Sequence, residues 1–148
     1  MAIRAPYPCL WFEKDGLIAA QWYCSLFPDS RIVDANPTVV QFELFNQAFM
    51  ILNGGPHFVL NEAVSLVVEC ETQEEIDHYW TALLSNGGRE SRCGWLKDRY
   101  GLSWQIIPQQ LAQWANHPNR KKAERMLQAM SQMVKMNIAE LEAAFNQE

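Results

Sequence analysis

The chain has 148 residues, nearly half of them hydrophobic and a fifth charged, and a formal net charge of −5. That size suits one compact domain or two small halves sharing a core, and the composition argues against long disorder. The acidic balance counts against a nucleic-acid partner. The basic cluster "NRKKAER" lies in a helical stretch with its own acid and reads as a solvated helix face. Cys9, Cys24, Cys70 and Cys93 form no CxxC pair and share no metal-ligand spacing with a histidine. The first residues lack the apolar run of a signal peptide, and no segment approaches the roughly eighteen apolar residues of a membrane span. These features set the expectation of a soluble, cytoplasmic protein with reduced cysteines and no membrane partner.

Tyr7 to Phe12 is a short apolar run after prolines and predicts a buried strand. In "DGLIAAQWYCSLFPDS" the residues Ile18, Ala19, Trp22, Tyr23 and Leu26 recur at helical spacing, and Pro28 stops the helix. Three strands are expected next: Arg31 to Ala35, Val39 to Phe45 and Ala48 to Leu52, the last two joined by a tight turn at Asn46-Gln47. "NGGP", Asn53 to Pro56, breaks the chain.

Ala63 to Glu69 is again a continuous apolar strand. "TQEEIDHYWTALLSNGG" predicts a helix with Ile76, Trp80, Leu83 and Leu84 on one face. Thr72 and Glu75 carry the capping-box pattern, and Gly87-Gly88 ends the helix. Extended pieces at Glu90 to Cys93 and Gly94 to Lys97 lead through "DRYG" to a last strand, Leu102 to Ile107. Both halves thus read strand, helix, three strands, with an offset of roughly 55–58 residues. One such unit leaves a sheet face uncovered, so two are expected to pair. From Gln109 the pattern is helical: a short turn at "LAQW", a helix whose stripe runs from Ala123 and Met126 to Met133 and Val134, and a final helix capped by Asn137. The expected domains are residues 1–108, with modules at about 7–56 and 63–108, and a helical extension at 109–148. A methionine-rich stripe of this kind serves core or dimer packing, or a partner groove.

The segments "CLWF", "WYCSLFPDSRI", "FMILNGGPHF", "NEAVSLVVECETQEEIDHYW" and "CGWLKDRYGLSWQIIP" resemble the PhnB-like branch of the vicinal oxygen chelate superfamily. That superfamily includes glyoxalase I, the bleomycin-resistance proteins and extradiol dioxygenases, and some relatives are labelled 3-demethylubiquinone-9 3-methyltransferase. The resemblance covers about Tyr7 to Pro108. It implies an α+β fold in which paired βαβββ modules form a curved mixed sheet around a ligand cavity, completed in a homodimer, with C-terminal helices added.

Metal-dependent members place His, Glu or Gln ligands on inward positions of the first and last strand of each module. Carried over, these positions are Pro8, the stretch Met50 to Leu52, Ser65 and Gln105. Proline and apolar side chains give no hard donor, a serine hydroxyl is a weak neutral ligand, and one amide oxygen is not a site, so no metal is expected. Neither "NGGP" nor "NGGRE" has the strand-turn-helix context of an adenosylmethionine cradle, and no cofactor is expected.

On the family pattern Gln105 faces the cavity, where a buried amide either orients a ligand or ties up a neighbouring group. Ser65 and Glu69 share that direction on their strand. Glu69 is then either near the rim or held by a partner such as Arg92. Trp95 stacks on a flat ligand or covers the cup. Asn53 and Phe12 complete the expected ligand contacts. Three groups could do chemistry. Cys93, with Arg89 and Arg92 nearby, is a candidate nucleophile or a small core residue. His57 and Glu62, in the loop between modules, are candidate proton-transfer groups or solvated connectors. The leading expectation is metal-free binding of a small molecule. The alternatives are an enzyme of the same superfamily, metal-independent or with non-standard metal ligands, and a structural or partner-binding homodimer.

Overall fold

The computed structural model describes residues 2–148. Met1, the first residue of the expected N-terminal domain, lies outside the described residues. The chain divides into two compact units, Met1–Leu60 and Asn61–Glu148. Each contains one four-stranded mixed sheet with a helix.

In the first unit, β1 (Cys9–Phe12) is followed by α1 (Gly16–Leu26), β2 (Arg31–Ala35), β3 (Val39–Leu44) and β4 (Gln47–Asn53). The sheet order is β1-β4-β3-β2, with β1 parallel to β4 and the other pairs antiparallel. Alternation along each strand sends one set of side chains to the helix. Leu10, Phe12, Val40, Phe42, Leu44, Phe49 and Ile51 are buried there with Ala19, Ala20 and Tyr23 of α1. Ile18, expected on the apolar face, points outward and is 59 % exposed, while Ala20 takes the buried place. The small alanines let the helix lie close to the sheet, and the Tyr23 ring stacks on Phe42 at 6.4 Å.

The hairpin between β3 and β4 turns at Phe45-Asn46, one residue earlier than expected. Both residues have positive φ, 48° and 60°, as the two-residue turn that matches strand twist requires. Asn46 suits that conformation. Phe45 tolerates it while its ring rests against Phe27, 5.6 Å away.

The second unit repeats the order with β5 (Ser65–Cys70), α2 (Gln73–Leu84), β6 (Arg89–Glu90), β7 (Trp95–Lys97) and β8 (Ser103–Pro108). Its sheet runs β5-β8-β7-β6, with β5 parallel to β8. The first strands open at Cys9 and Ser65, the helices at Gly16 and Gln73, and the last strands at Gln47 and Ser103, so the repeat read from the sequence is present. The capping box forms as its pattern predicts: Thr72 Oγ1 accepts from the Glu75 N–H at 3.2 Å, and Glu75 accepts from the Thr72 N–H. Ile76, Trp80 and Leu83 of α2 are buried, as are Leu96, Trp104 and Ile106 of the sheet. The buried Asp98 carboxylate ties the last hairpin, accepting from the Tyr100 and Leu102 N–H groups and from the Trp104 indole at 2.8 Å.

Two expected extended pieces differ. Only Arg89–Glu90 and Trp95–Lys97 are strand, and Cys93-Gly94 form a turn with φ of 56° and 81°. A Cβ on Gly94 would stand 2.8 Å from the Ile106 carbonyl oxygen, so glycine permits both this φ and the close approach.

The tail forms α3 (Leu111–Ala115), α4 (Arg120–Ser131) and α5 (Ile138–Asn146). Helix α4 ends at Ser131, so Met133 and Val134 leave the expected stripe. Their carbonyls instead accept from the Cys93 and Gly94 N–H groups at 2.9 and 2.8 Å. Gln73 grips the next segment with both ends of its amide, donating to the Met136 carbonyl at 3.0 Å and accepting from the Ile138 N–H at 2.8 Å. Lys135 pairs with Asp77 at 2.6 Å. Asn137 caps α5 by accepting from the Glu140 N–H. Among the described residues no helix is long and apolar enough to cross a membrane.

Candidate functional site

Each sheet has one face on its helix and one face away from it, and the second face is where ligand-contacting groups were expected. In the second unit, strand pairing arranges this outer face in rows. One row places Trp95, Gln105 and Val67 side by side across β7, β8 and β5. The next places Arg89, Lys97, Ser103 and Ser65 across all four strands. Gln105 Nε2 donates diagonally to Ser65 Oγ at 2.9 Å. The amide oxygen of Gln105 and the hydroxyl proton of Ser65 remain available to a ligand. Trp95 and Gln105 are half-buried, and Val67 is 50 % exposed.

Of the other expected contacts, Glu69 shares this outer face, and Phe12 and Asn53 belong to the first unit. Glu69 is in the following row, opposite Ile107, and exposed; no ion pair joins it to Arg92 among the described residues. Phe12 and Asn53, register partners in the first unit, lie on the helix side of their sheet. Phe12 is 6 % exposed. Asn53 spends its side chain on the fold, accepting from the Gly16 N–H at 2.9 Å and donating to the Pro37 carbonyl at 3.1 Å. The period-two alternation of β1 carries this information: burial of Leu10 fixes Phe12 on the same side.

The same alternation exposes a residue that sequence reasoning missed. Trp11 lies on the outer face of the first sheet, and its indole N–H donates to the Gly55 carbonyl at 2.9 Å. Phe58 meets its ring edge-on at 4.8 Å and His57 at 6.5 Å. A Cβ on Gly54 would stand 2.2 Å from the Trp11 ring, so glycine lets the loop cross the indole. His57 is therefore an exposed neighbour of Trp11, with no carboxylate or thiol bonded to it among the described residues. A shallow depression on this unit, bordered by Tyr7, Val33, Gln41 and Ala48, contains none of the expected site residues.

Glu62 pairs with Lys97 at 2.6 Å, and this contact holds its carboxyl below the usual carboxylate range. The Cys93 backbone is committed to the tail, and its thiol has no histidine base bonded to it among the described residues. Burial pushes the Cys70 thiol up to about 11, with the Glu75 charge adding to the effect.

Pairing also aligns the positions at which the ligands of metal-dependent members were expected. Cys9 pairs with Met50 and Trp11 with Leu52 as Ser65 pairs with Ser103 and Val67 with Gln105. The counterparts of Ser65 and Gln105 are thus Cys9 and Leu52, and Pro8 lies one residue before the strand. The first unit offers a thiol whose pKa burial raises, and an alkyl chain. The second offers two neutral oxygens, one already bonded to its neighbour's amide. Neither set suits a divalent cation. Among the described residues, no three His, Cys, Asp or Glu side chains come together as a metal centre.

A family model described as 3-demethylubiquinone-9 3-methyltransferase matches residues 5–107. The putative 3-demethylubiquinone-9 3-methyltransferase, PhnB protein, from Bacillus cereus is 31% identical, with a TM-score of 0.64 over 70% of this chain and 99% of that one. The chain belongs to this PhnB-like family. Its fold is the glyoxalase/bleomycin-resistance fold. A glyoxalase-related enzyme from Fulvimarina pelagi shares that fold at 15% identity and a TM-score of 0.53, over 70% of this chain and 87% of that one. So does the fosfomycin resistance protein FosX from Listeria monocytogenes, complexed with Mn(II) and sulfate, at 12% identity and a TM-score of 0.54, over 73% and 91%. No curated protein matches the chain. In this PhnB-like chain neither "NGGP" nor "NGGRE" forms a cradle of the kind adenosylmethionine occupies. The first lies under Trp11, and the second follows α2.

Proposed function

We propose that this PhnB-like protein binds a small, partly apolar molecule without a resident metal, using the outer face of its second sheet. The observation that carries the reading is the Gln105–Ser65 pair. It is a preformed polar couple with spare hydrogen-bonding capacity, set between Trp95 and Val67 on a face that its own helix does not cover. Such a surface matches the usual composition of ligand sites, apolar walls with a few placed polar groups. A binding role is favoured over catalysis because the candidate reactive groups are dispersed. His57 lies beside Trp11, Glu62 is paired with Lys97, and the Cys93 backbone anchors the tail. The proposal includes a homodimer acting in the cytoplasm. The exposed apolar side chains Phe58 and Val59 of the first unit support a further contact surface.

A thermal-shift screen of small metabolites and divalent metals on the native chain, Gln105→Ala and Ser65→Ala tests this. Organic hits should lose roughly half or more of their shift in both variants, since each removes a ligand-facing polar group of about 1 kcal/mol. Hits indifferent to both changes would place the site elsewhere, and a stoichiometric, tightly held divalent ion would contradict the metal-free reading.

A further inference from the structure

The row below Gln105 is electrostatically unbalanced. Arg89 and Lys97 are direct register partners on β6 and β7, two cations side by side on the same face. Like charges so placed repel unless an anion joins them. Next to Lys97 stands Ser103, only 1 % exposed, whose hydroxyl has no hydrogen-bond partner. A buried hydroxyl without a partner is uncommon and calls for one. Ser65 completes the row.

Among the described residues, one ion pair reaches this group. Glu62 bonds Lys97 Nζ at 2.6 Å, although its side chain is 65% exposed. Glu62 precedes β5, whereas Lys97 is on β7, and β8 lies between them. The ion pair therefore spans β8 at the level of Ser103. Neither partner of the ion pair bonds the Ser103 hydroxyl.

We infer that this row is an anion site, formed by Lys97, Arg89 and Ser103, and that Glu62 occupies it in place of the carboxylate of a ligand. This rests on the binding reading above and specifies the ligand class: a small planar carboxylic acid, its flat body against Trp95 and its neutral polar group on Gln105 and Ser65. Exchange is inexpensive. An exposed ion pair contributes little to stability, and Glu62 returns to water when displaced. The incoming carboxylate keeps the charge of Lys97 matched and gives the Ser103 hydroxyl its acceptor. It also brings negative charge near Arg89, which Glu62 does not bond.

Benzoate and its neutral isostere benzamide test this by chemical-shift titration of the full chain. Benzoate should bind about tenfold more tightly than benzamide. Lys97→Met should bring that ratio close to one. Glu62→Gln should raise benzoate affinity several-fold and leave benzamide unchanged, because it removes the internal competitor. Arg89→Gln, at an exposed position, should lower the ratio in part and keeps the test valid if Lys97→Met does not fold. Equal affinity for the two probes, binding of neither, or a ratio unmoved by these changes would overturn the anion site. Gln105→Ala separates the two ideas: a loss shared by both probes supports the binding face even where the anion preference fails. No effect on either probe would contradict the face itself.

Discussion

At residue scale, side-chain direction decides what each candidate can do. Gln105 and Trp104 are chain neighbours with opposite fates. Trp104 is buried on the helix side with its indole on Asp98, and Gln105 stands on the outer face with Ser65. The alternation that separates them was legible in the sequence, because Trp104 and Ile106 bracket Gln105 as a buried pair. The fate of Asn53 was not. Its side chain bonds the first residue of α1, a tertiary contact between positions far apart in the chain. Cys70 shows how burial becomes a pH effect. Its pKa is raised from 9.0 to about 11 in the fold. The folded state therefore holds this proton more firmly than the unfolded state does. The resulting stability is fully present below pH 9 and is lost as pH rises towards 11. Its ceiling is of order 2–3 kcal/mol. Urea unfolding of the native chain and Cys70→Ala should give a stability gap that is constant below pH 9 and narrows above it. A gap flat across that range would contradict the burial account.

At element scale, the strands and helices followed from periodicity and capping, and the irregular pieces did not. The capping box of α2 and the Asn137 cap of α5 needed only local sequence. The turn at Cys93-Gly94 depends on the tail, whose carbonyls it binds, so no window around "SRCGW" could reveal it. The early end of α4 has the same cause. The Met133 and Val134 carbonyls accept from the N–H groups of that turn, beyond the last residue of the helix. Gln73 secures the α4–α5 connection on both sides of Asn137, at Met136 and Ile138. Gln73→Ala should lower stability by about 1–3 kcal/mol, since it leaves a carbonyl and an N–H without partners. Limited proteolysis should show cleavage near Met136 before cleavage elsewhere in the second unit. Unchanged stability and an unchanged cleavage pattern would show that the Gln73 contacts do not hold the tail.

At the scale of the whole molecule, one module has been used twice with different outer faces. The register positions occupied by Ser65, Ser103, Lys97, Gln105 and Trp95 in the second unit hold Cys9, Met50, Gln41, Leu52 and Val39 in the first. The repeat itself was readable from spacing. The match between the two modules needed the strand pairing, which makes Cys9, one residue after Pro8, the counterpart of Ser65 and Leu52 the counterpart of Gln105. The outer face of the first unit sets Trp11, Met50 and Leu52 beside Gln41 and the Arg31–Glu43 ion pair, and that of the second sets Trp95 and Val67 beside Gln105, Ser65, Lys97 and Arg89. Family membership carries the fold, and the proposed function rests on these rows of side chains.

The most direct test of that claim follows the Gln105 side-chain amide by two-dimensional NMR while a hit from the ligand screen is added. The account predicts that the Gln105 amide resonances and the Trp95 indole move in step with saturation, and that backbone shifts concentrate on β5, β7 and β8. A ligand that saturates the protein while those signals stay fixed would contradict it.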